Sequence, residues 1–151
     1  MKNKNNIYDL IIIGAGFAGL YSLYKAKSKN LKAIIIEKAK DVGGTWYWNR
    51  YPGARCDVES MQYSYQFSKD FEEEWEWSEQ YATQPEILKY ANYVTKKLNL
   101  RKDISFNTEV ISAHFSEKSS TWKITDNNNK VIESNFCIMA TGCLSKINLP
   151  K

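Results

Sequence analysis

The sequence is poor in the residues that most often announce a chemistry, with one histidine, three cysteines and three prolines among 151 residues. Cys56, Cys137 and Cys143 are widely spaced and form no CxxC or Cys/His pattern. That argues against a disulfide framework and against a zinc site, and no other metal ligand set stands out. His114 lies in the alternating run Val110 to Phe115 without a nucleophile or an orienting acid nearby, so it reads as a strand residue rather than a catalytic base. No apolar run approaches the length of a membrane span. The run after the polar stretch Met1 to Asn6 is too short for a secretory core and has no small-residue cleavage site. A cytoplasmic protein is therefore expected. The net charge of +4 comes from scattered lysines with no basic stripe, so a nucleic-acid partner is not expected.

Glycine is also scarce, seven in all, yet most of it is gathered in two places. The first is Gly14-Ala15-Gly16-Phe17-Ala18-Gly19, which follows the β-branched run Tyr8 to Ile13, the pattern of a parallel strand buried on both faces. Gly14 permits a tight turn, Gly16 lets a pyrophosphate approach the backbone, and Gly19 lets the following helix, read as Phe17 to Lys29, pack closely on the strand. That helix would begin on the ligand, because its unpaired amides and positive dipole end favour an anion. A second strand, Lys32 to Ile36, closes a βαβ unit and ends in Glu37. An acid about twenty residues beyond the glycines suits the two hydroxyls of a ribose and repels a 2′-phosphate. The ligand of this first site is thus FAD or NAD rather than NADP.

The second place is Gly43-Gly44-Thr45-Trp46-Tyr47-Trp48-Asn49-Arg50-Tyr51-Pro52-Gly53-Ala54-Arg55-Cys56-Asp57, inside a segment from Asp41 to Ser60 with little periodicity. Loops of this length in compact domains are usually functional. Beyond it, Met61 to Phe67 reads as a short helix and Glu72 to Ser78 as an acidic, aromatic surface turn. A helix opens at Gln84-Pro85-Glu86, buries Ile87, Leu88, Ala91, Val94 and Leu98, and stops near Asn99. Ile104 to Phe106 reads as a third parallel strand. Glu109 to Phe115, Thr121 to Thr125 and Lys130 to Ser134 form an antiparallel meander with its turn at Asp126 to Asn129. A separate strand, Phe136 to Ala140, ends at Thr141-Gly142, where backbone could again approach a cofactor. The expected fold class is α/β: a Rossmann-like FAD-binding domain with a parallel sheet, helices and a small β-meander, over residues 7–151 after a disordered tail, 1–6. The meander inserted between parallel strands favours FAD over NAD.

These motifs, with Val58-Glu59-Ser60, Gln84-Pro85-Glu86-Ile87-Leu88 and Ala140-Thr141-Gly142-Cys143-Leu144-Ser145, resemble the flavin-dependent Baeyer–Villiger monooxygenases from about Tyr8 to Pro150. The resemblance implies that Gly14, Gly16, Ala18 and Gly19 hold the FAD pyrophosphate and Glu37 the adenosine ribose. It implies that Thr45, Trp46, Tyr47 and Trp48 line the flavin, with Asp57 and Tyr63 close to the isoalloxazine and ribityl and the Val110 backbone at the adenine. Arg55, Cys56 and Asp57 would also border the nicotinamide of NADPH. Asp57 would be the catalytic residue, pairing with an arginine from a later segment to stabilise a negatively charged flavin peroxide. The activity implied is reduction of FAD by NADPH, reaction with O2, and conversion of a ketone to an ester or lactone. The sequence lacks the family's FxGxxxHTxxWP fingerprint, its second GxGxxG motif for NADPH and the arginine partner of Asp57. The expectation is an N-terminal FAD-binding part, inactive alone: a truncated reading frame, one half of a split enzyme with a C-terminal partner fragment, or an excised domain. A non-catalytic nucleotide-binding remnant and a flavin N- or S-oxygenase fragment are the alternatives.

Overall fold

The computed structural model describes residues 7–145 and Leu149. The tail expected over 1–6 and most of the Asn148 to Lys151 terminus lie outside the described residues. Six strands form one sheet in the order β3-β2-β1-β6-β5-β4. Its parallel half consists of β1 (Tyr8–Ile13), β2 (Ala33–Ile36), β3 (Ile104–Ser105) and the second half of β6 (Val131–Met139). The antiparallel half consists of β4 (Val110–Ser116), β5 (Thr121–Asp126) and the first half of β6. The residue where β6 changes partners is Ser134, which pairs with Tyr8 of β1 and with Trp122 of β5 and is fully buried.

The sequence expectation of two strands on either side of Asn135 is therefore corrected: Val131 to Met139 is one continuous strand. The polar Ser134-Asn135 pair interrupts the apolar pattern because the ladder changes partner there. The Ser134 hydroxyl donates to the Phe136 carbonyl at 2.8 Å, which satisfies its polar group inside the sheet.

Helix α1 (Phe17–Ser28) packs on the parallel strands through Leu20, Leu23 and Ala26, and α4 (Gln84–Lys97) adds Ala91 to the same core. Pro85 occupies the first turn of α4, where its missing N–H costs nothing. The stripe expected on α4 is buried at Ile87, Ala91 and Val94; Tyr90, fully buried, belongs to it as well. At the meander turn, the Asp126 carboxylate accepts from the amides of Asn128 and Lys130 at 2.8 and 2.9 Å. A second core joins Ile11 and Ile36 of the parallel strands to Ile124 of β5. Phe136, Ile138 and Met139 of β6 keep 69%, 38% and 56% of their surface exposed, so the central strand carries an uncovered apolar stretch.

Two other expectations are corrected. Met61 to Phe67 is a series of turns, not a helix. Tyr63, Tyr65 and Phe67 alternate toward the ring of Phe17 and its neighbours, and a period of two cannot be met by a helix. The acidic stretch instead begins within α3 (Lys69–Glu74), anchored by the buried Phe71. Trp75 and Trp77 then turn inward onto Tyr90 rather than lying on a surface turn.

Gly19 shows why α1 sits so close to β1, since a Cβ there would lie 1.9 Å from the carbonyl oxygen of Gly14. The obstacle is backbone, which cannot swing aside. Gly19→Ala should therefore destabilise the chain by about 3 kcal/mol, the upper end for overpacking, read as a lower urea midpoint with an unchanged m-value. An unchanged midpoint would mean that α1 is free to slide.

Candidate functional site

The carboxyl ends of β1, β2 and β6 open onto a cleft of about 450 Å³. In open α/β sheets, ligands bind in the crevice outside these strand ends. One wall is the first glycine turn with the start of α1, contributing Gly14, Gly16, Phe17 and Ala18. The opposite wall is Gly43, Gly44 and the four-residue helix α2 (Thr45–Trp48), which gives order to part of the segment read as aperiodic. Glu37 and Lys38 at the end of β2, Thr108 to Val110 entering β4, and Met139 to Gly142 leaving β6 complete the lining, together with Tyr63 and Ser145.

Ala15 ties the two glycine turns together. Its N–H donates to Glu37 Oε2 at 2.6 Å, and its carbonyl accepts from the Gly43 N–H at 3.0 Å. The other oxygen of Glu37 accepts from the Ala39 N–H at 2.7 Å, and the side chain is only 6% exposed. Charge-assisted bonds of this kind are short and strong. Glu37 thus holds the glycine turn as well as lining the cleft, a role that its spacing from the glycines did not reveal.

The backbones of the two turns nearly touch. Gly44 has φ +54, and a Cβ there would come within 2.9 Å of the Gly16 Cα. Gly16 differs: among the described residues its own Cβ would meet only the Gly44 Cα, at an ordinary 3.6 Å. Protein packing therefore gives no reason for glycine at position 16. The open space lies on the cleft wall, beside a helix start that carries no side-chain cap and no acid in its first turn. An anionic group fits there, drawn by the free amides and the dipole of α1.

The aromatic segment divides. Trp46 is 7% exposed and donates its indole N–H to the Tyr63 hydroxyl at 2.9 Å. Burial is the main cause that raises the Tyr63 phenol above its ordinary pKa; the neighbouring Cys56 and Asp57 raise it further, while the bond from Trp46 opposes the shift. Trp48 is 52% exposed on the cleft wall, with the Lys38 ammonium 5.4 Å from its ring centre, within cation–π reach. Tyr47 points elsewhere, packing edge-on to Trp48 and under Arg50.

Of the residues expected at the site, Gly14, Gly16, Ala18, Glu37, Thr45, Trp46, Trp48, Tyr63 and Val110 line the cleft. Gly19, Tyr47, Arg55, Cys56 and Asp57 do not. Gly19 is turned into the contact with Gly14. Arg55 pairs with Glu79 at the surface and bridges to Thr83, and Cys56 is buried beside Trp46. Asp57 is exposed on the next residue and reaches Tyr63 through its charge. Lys38, Thr108 and Glu109 were missed by the sequence reading. A lysine directly after the acid of β2 was the available signal for Lys38. Among the described residues no group of side chains could hold a metal ion, and no helix is long and apolar enough to cross a membrane.

The sequence profile of the pyridine nucleotide-disulphide oxidoreductases matches residues 11–151. A 2-oxo-Δ3-4,5,5-trimethylcyclopentenylacetyl-CoA monooxygenase of Pseudomonas putida is 44% identical over 149 residues, covering 99% of this chain and 27% of that protein. The phenazine N-monooxygenase PhzNO1 of Lysobacter antibioticus is 43% identical over all of this chain and 28% of its own length. The crystal structure of OTEMO in complex with FAD and NADP superposes with a TM-score of 0.91 at 44% identity, covering 97% of this chain and 28% of that one. The chain thus spans little more than a quarter of the length of these relatives.

The two bonds of Glu37 should be measurable without any ligand. Glu37→Gln replaces one accepting oxygen with a donor facing an N–H, and should cost about 1.5 to 3 kcal/mol, the range for bonds to charged groups, in urea unfolding of the nucleotide-free chain. Unchanged stability would mean that this carboxylate does not hold the glycine turn.

Proposed function

The chain belongs to the pyridine nucleotide-disulphide oxidoreductase family, and we propose that it forms the FAD-binding part of an NADPH- and O2-dependent flavoprotein monooxygenase of the Baeyer–Villiger type. The observation that carries the FAD reading is the space at Gly16. It is a place on the cleft wall where the fold tolerates a side chain, next to an uncapped helix start, as a pyrophosphate cradle requires. The OTEMO structure, alike over nearly the whole of this chain, is a complex with FAD and NADP.

On this reading Gly14, Gly16 and Ala18 carry the pyrophosphate on backbone amides. Glu37 holds the ribose with the lone pairs left over from Ala15 and Ala39, and its charge excludes a 2′-phosphate. Val110 and its neighbours Thr108 and Glu109 face the adenine. Thr45, Trp46, Trp48 and Tyr63 border the isoalloxazine, with Trp46 fixed by its bond to Tyr63. FAD, when bound, supplies the redox chemistry and the activation of O2. The protein supplies position, a water-poor wall and a neutral Tyr63 phenol. Asp57, exposed beside Tyr63, would become catalytic only when covered and paired with an arginine from outside the described residues. Arg55 and Cys56, outside the cleft, would serve the NADPH side.

Turnover on a ketone is proposed to require the additional length that the relatives possess, supplied by the same polypeptide or by a partner. We place the protein in the cytoplasm, where its three cysteines remain thiols. N-oxygenation is the second reading, supported by the 43% identity to the phenazine N-monooxygenase over the whole of this chain. A nucleotide-binding module without turnover is the third.

FAD titration of the purified chain, followed by the flavin spectrum and by quenching of tryptophan emission, should show saturable one-to-one binding. A folded chain that binds none would refute the assignment. Gly16→Ala should leave the thermal midpoint of the free chain unchanged and weaken FAD at least roughly tenfold, which is about 1.4 kcal/mol. Equal affinity would remove the pyrophosphate from Gly16.

A further inference from the structure

Behind the cleft, the aromatic residues form one connected set. Trp46 and Tyr63 line the cleft with ring centres 5.8 Å apart. Phe17 touches Tyr63 at 5.4 Å and Tyr90 at 6.1 Å. Trp75 lies 5.2 Å from Tyr90 and 5.2 Å from Tyr93. Tyr93 reaches the surface on α4, where its hydroxyl donates to Glu74 Oε2 at 2.8 Å. Close packing alone explains why rings meet, since large rings fill cores readily. It does not explain how their polar ends are partnered.

That partnering has a direction. On losing an electron, a phenol becomes a strong acid and needs a base for its proton, whereas an oxidised indole is a much weaker acid. Trp46 donates to a neutral hydroxyl, and the buried Trp75 Nε1 has no hydrogen-bond partner among the described residues. A vacancy on either indole therefore has no base to trap it. Tyr90 is fully buried and accepts the backbone N–H of Tyr65. Along this path, among the described residues, Tyr93 is the ring whose acidic hydrogen rests on a carboxylate. Hydrogen bonds from Lys97 first, and from Tyr93 second, hold the Glu74 carboxyl below the usual carboxylate range, so it stands ionised at neutral pH.

We propose that Trp46, Tyr63, Phe17, Tyr90, Trp75 and Tyr93 form a path that carries single oxidising equivalents from the cleft to the surface, ending in proton transfer from Tyr93 to Glu74. The path rests on the FAD reading for its oxidant, an oxidised isoalloxazine excited by blue light. Trp46 gives up one electron to the excited flavin, which is thereby reduced by one electron; Trp75 replaces that electron, and Tyr93 in turn replaces the one lost by Trp75. Phe17 and the phenols Tyr63 and Tyr90, which rest on no carboxylate, are bridges across which the electron passes without residing on the rings. Tyr93 finally loses one electron and its O–H proton, and the Glu74 carboxylate takes that proton, which leaves a neutral tyrosyl and a neutral carboxylic acid. The site thereby gains an exit that spares Trp46 from permanent oxidation.

The test is anaerobic flash photolysis of the FAD-loaded chain, with binding first verified from the flavin spectrum and the tyrosyl radical followed by transient absorption and electron paramagnetic resonance. The parent chain should give a long-lived tyrosyl signal. Tyr93→Phe should lose it and return the flavin spectrum to its starting form faster. Glu74→Gln, which keeps the ring but removes the base, should act in the same direction. Trp75→Phe gives up no hydrogen bond and should lower the radical yield. All three positions lie off the cleft lining, so FAD affinity should not change. Bound FAD with the same tyrosyl yield and recovery in all three variants would overturn the path and leave the FAD reading intact. Absence of FAD binding would overturn both.

Discussion

The peptide groups on either side of Ala15 fix the geometry on which the site depends. Its N–H is committed to Glu37 and its carbonyl to Gly43, so one residue fastens the first glycine turn to the end of β2 and to the entrance of α2. Because these bonds are internal, the cleft does not rely on a ligand to bring its walls together. Preorganisation of this kind lowers the ordering cost of binding. It also leaves the amides at the start of α1 without a side-chain cap among the described residues, the condition that favours an anion at a helix start.

The first βαβ unit was fully legible in the sequence, because each element there obeys a local rule: an apolar run, a glycine spacing, an acid at a strand end. The meander was legible for the same reason, its turn being written in Asp126 and the asparagines after it. Tyr63, Tyr65 and Phe67 were misread because their alternation is dictated by Phe17, a residue far away in sequence. Local pattern carries no record of a distant ring, and tertiary contact overrode it. The partition of Trp46 from Trp48 was hidden in the same way. Tryptophans two residues apart look alike in sequence, yet one donates to Tyr63 inside the core and the other stands in the open under Lys38.

Arg55, Cys56 and Asp57 mark a different limit. The resemblance set them beside the nicotinamide of NADPH, with Asp57 also near the isoalloxazine; the bridge between Arg55 and Thr83 holds this segment beside α4, off the cleft lining. Cys56 turns inward and its two neighbours turn outward, as an extended segment demands. A motif records which residues act together in a complete assembly. It does not say which of them share a surface in one part of it.

The strand order carries a consequence for how the chain is made. Among the described strands β1 is synthesised first, and in the sheet it lies between β2 and β6, the last of them. β1 and β2 can pair early, but the other edge of β1 stays open until Ser134 to Met139 has left the ribosome. A sheet closed by so remote a pairing has a high contact order and pays loop closure before it gains contacts, which slows folding. Within this stretch of chain, completion of the sheet thus waits for β6 to emerge. Because Met139 to Gly142 also finish the cleft, the ligand site and the last strand come into being together.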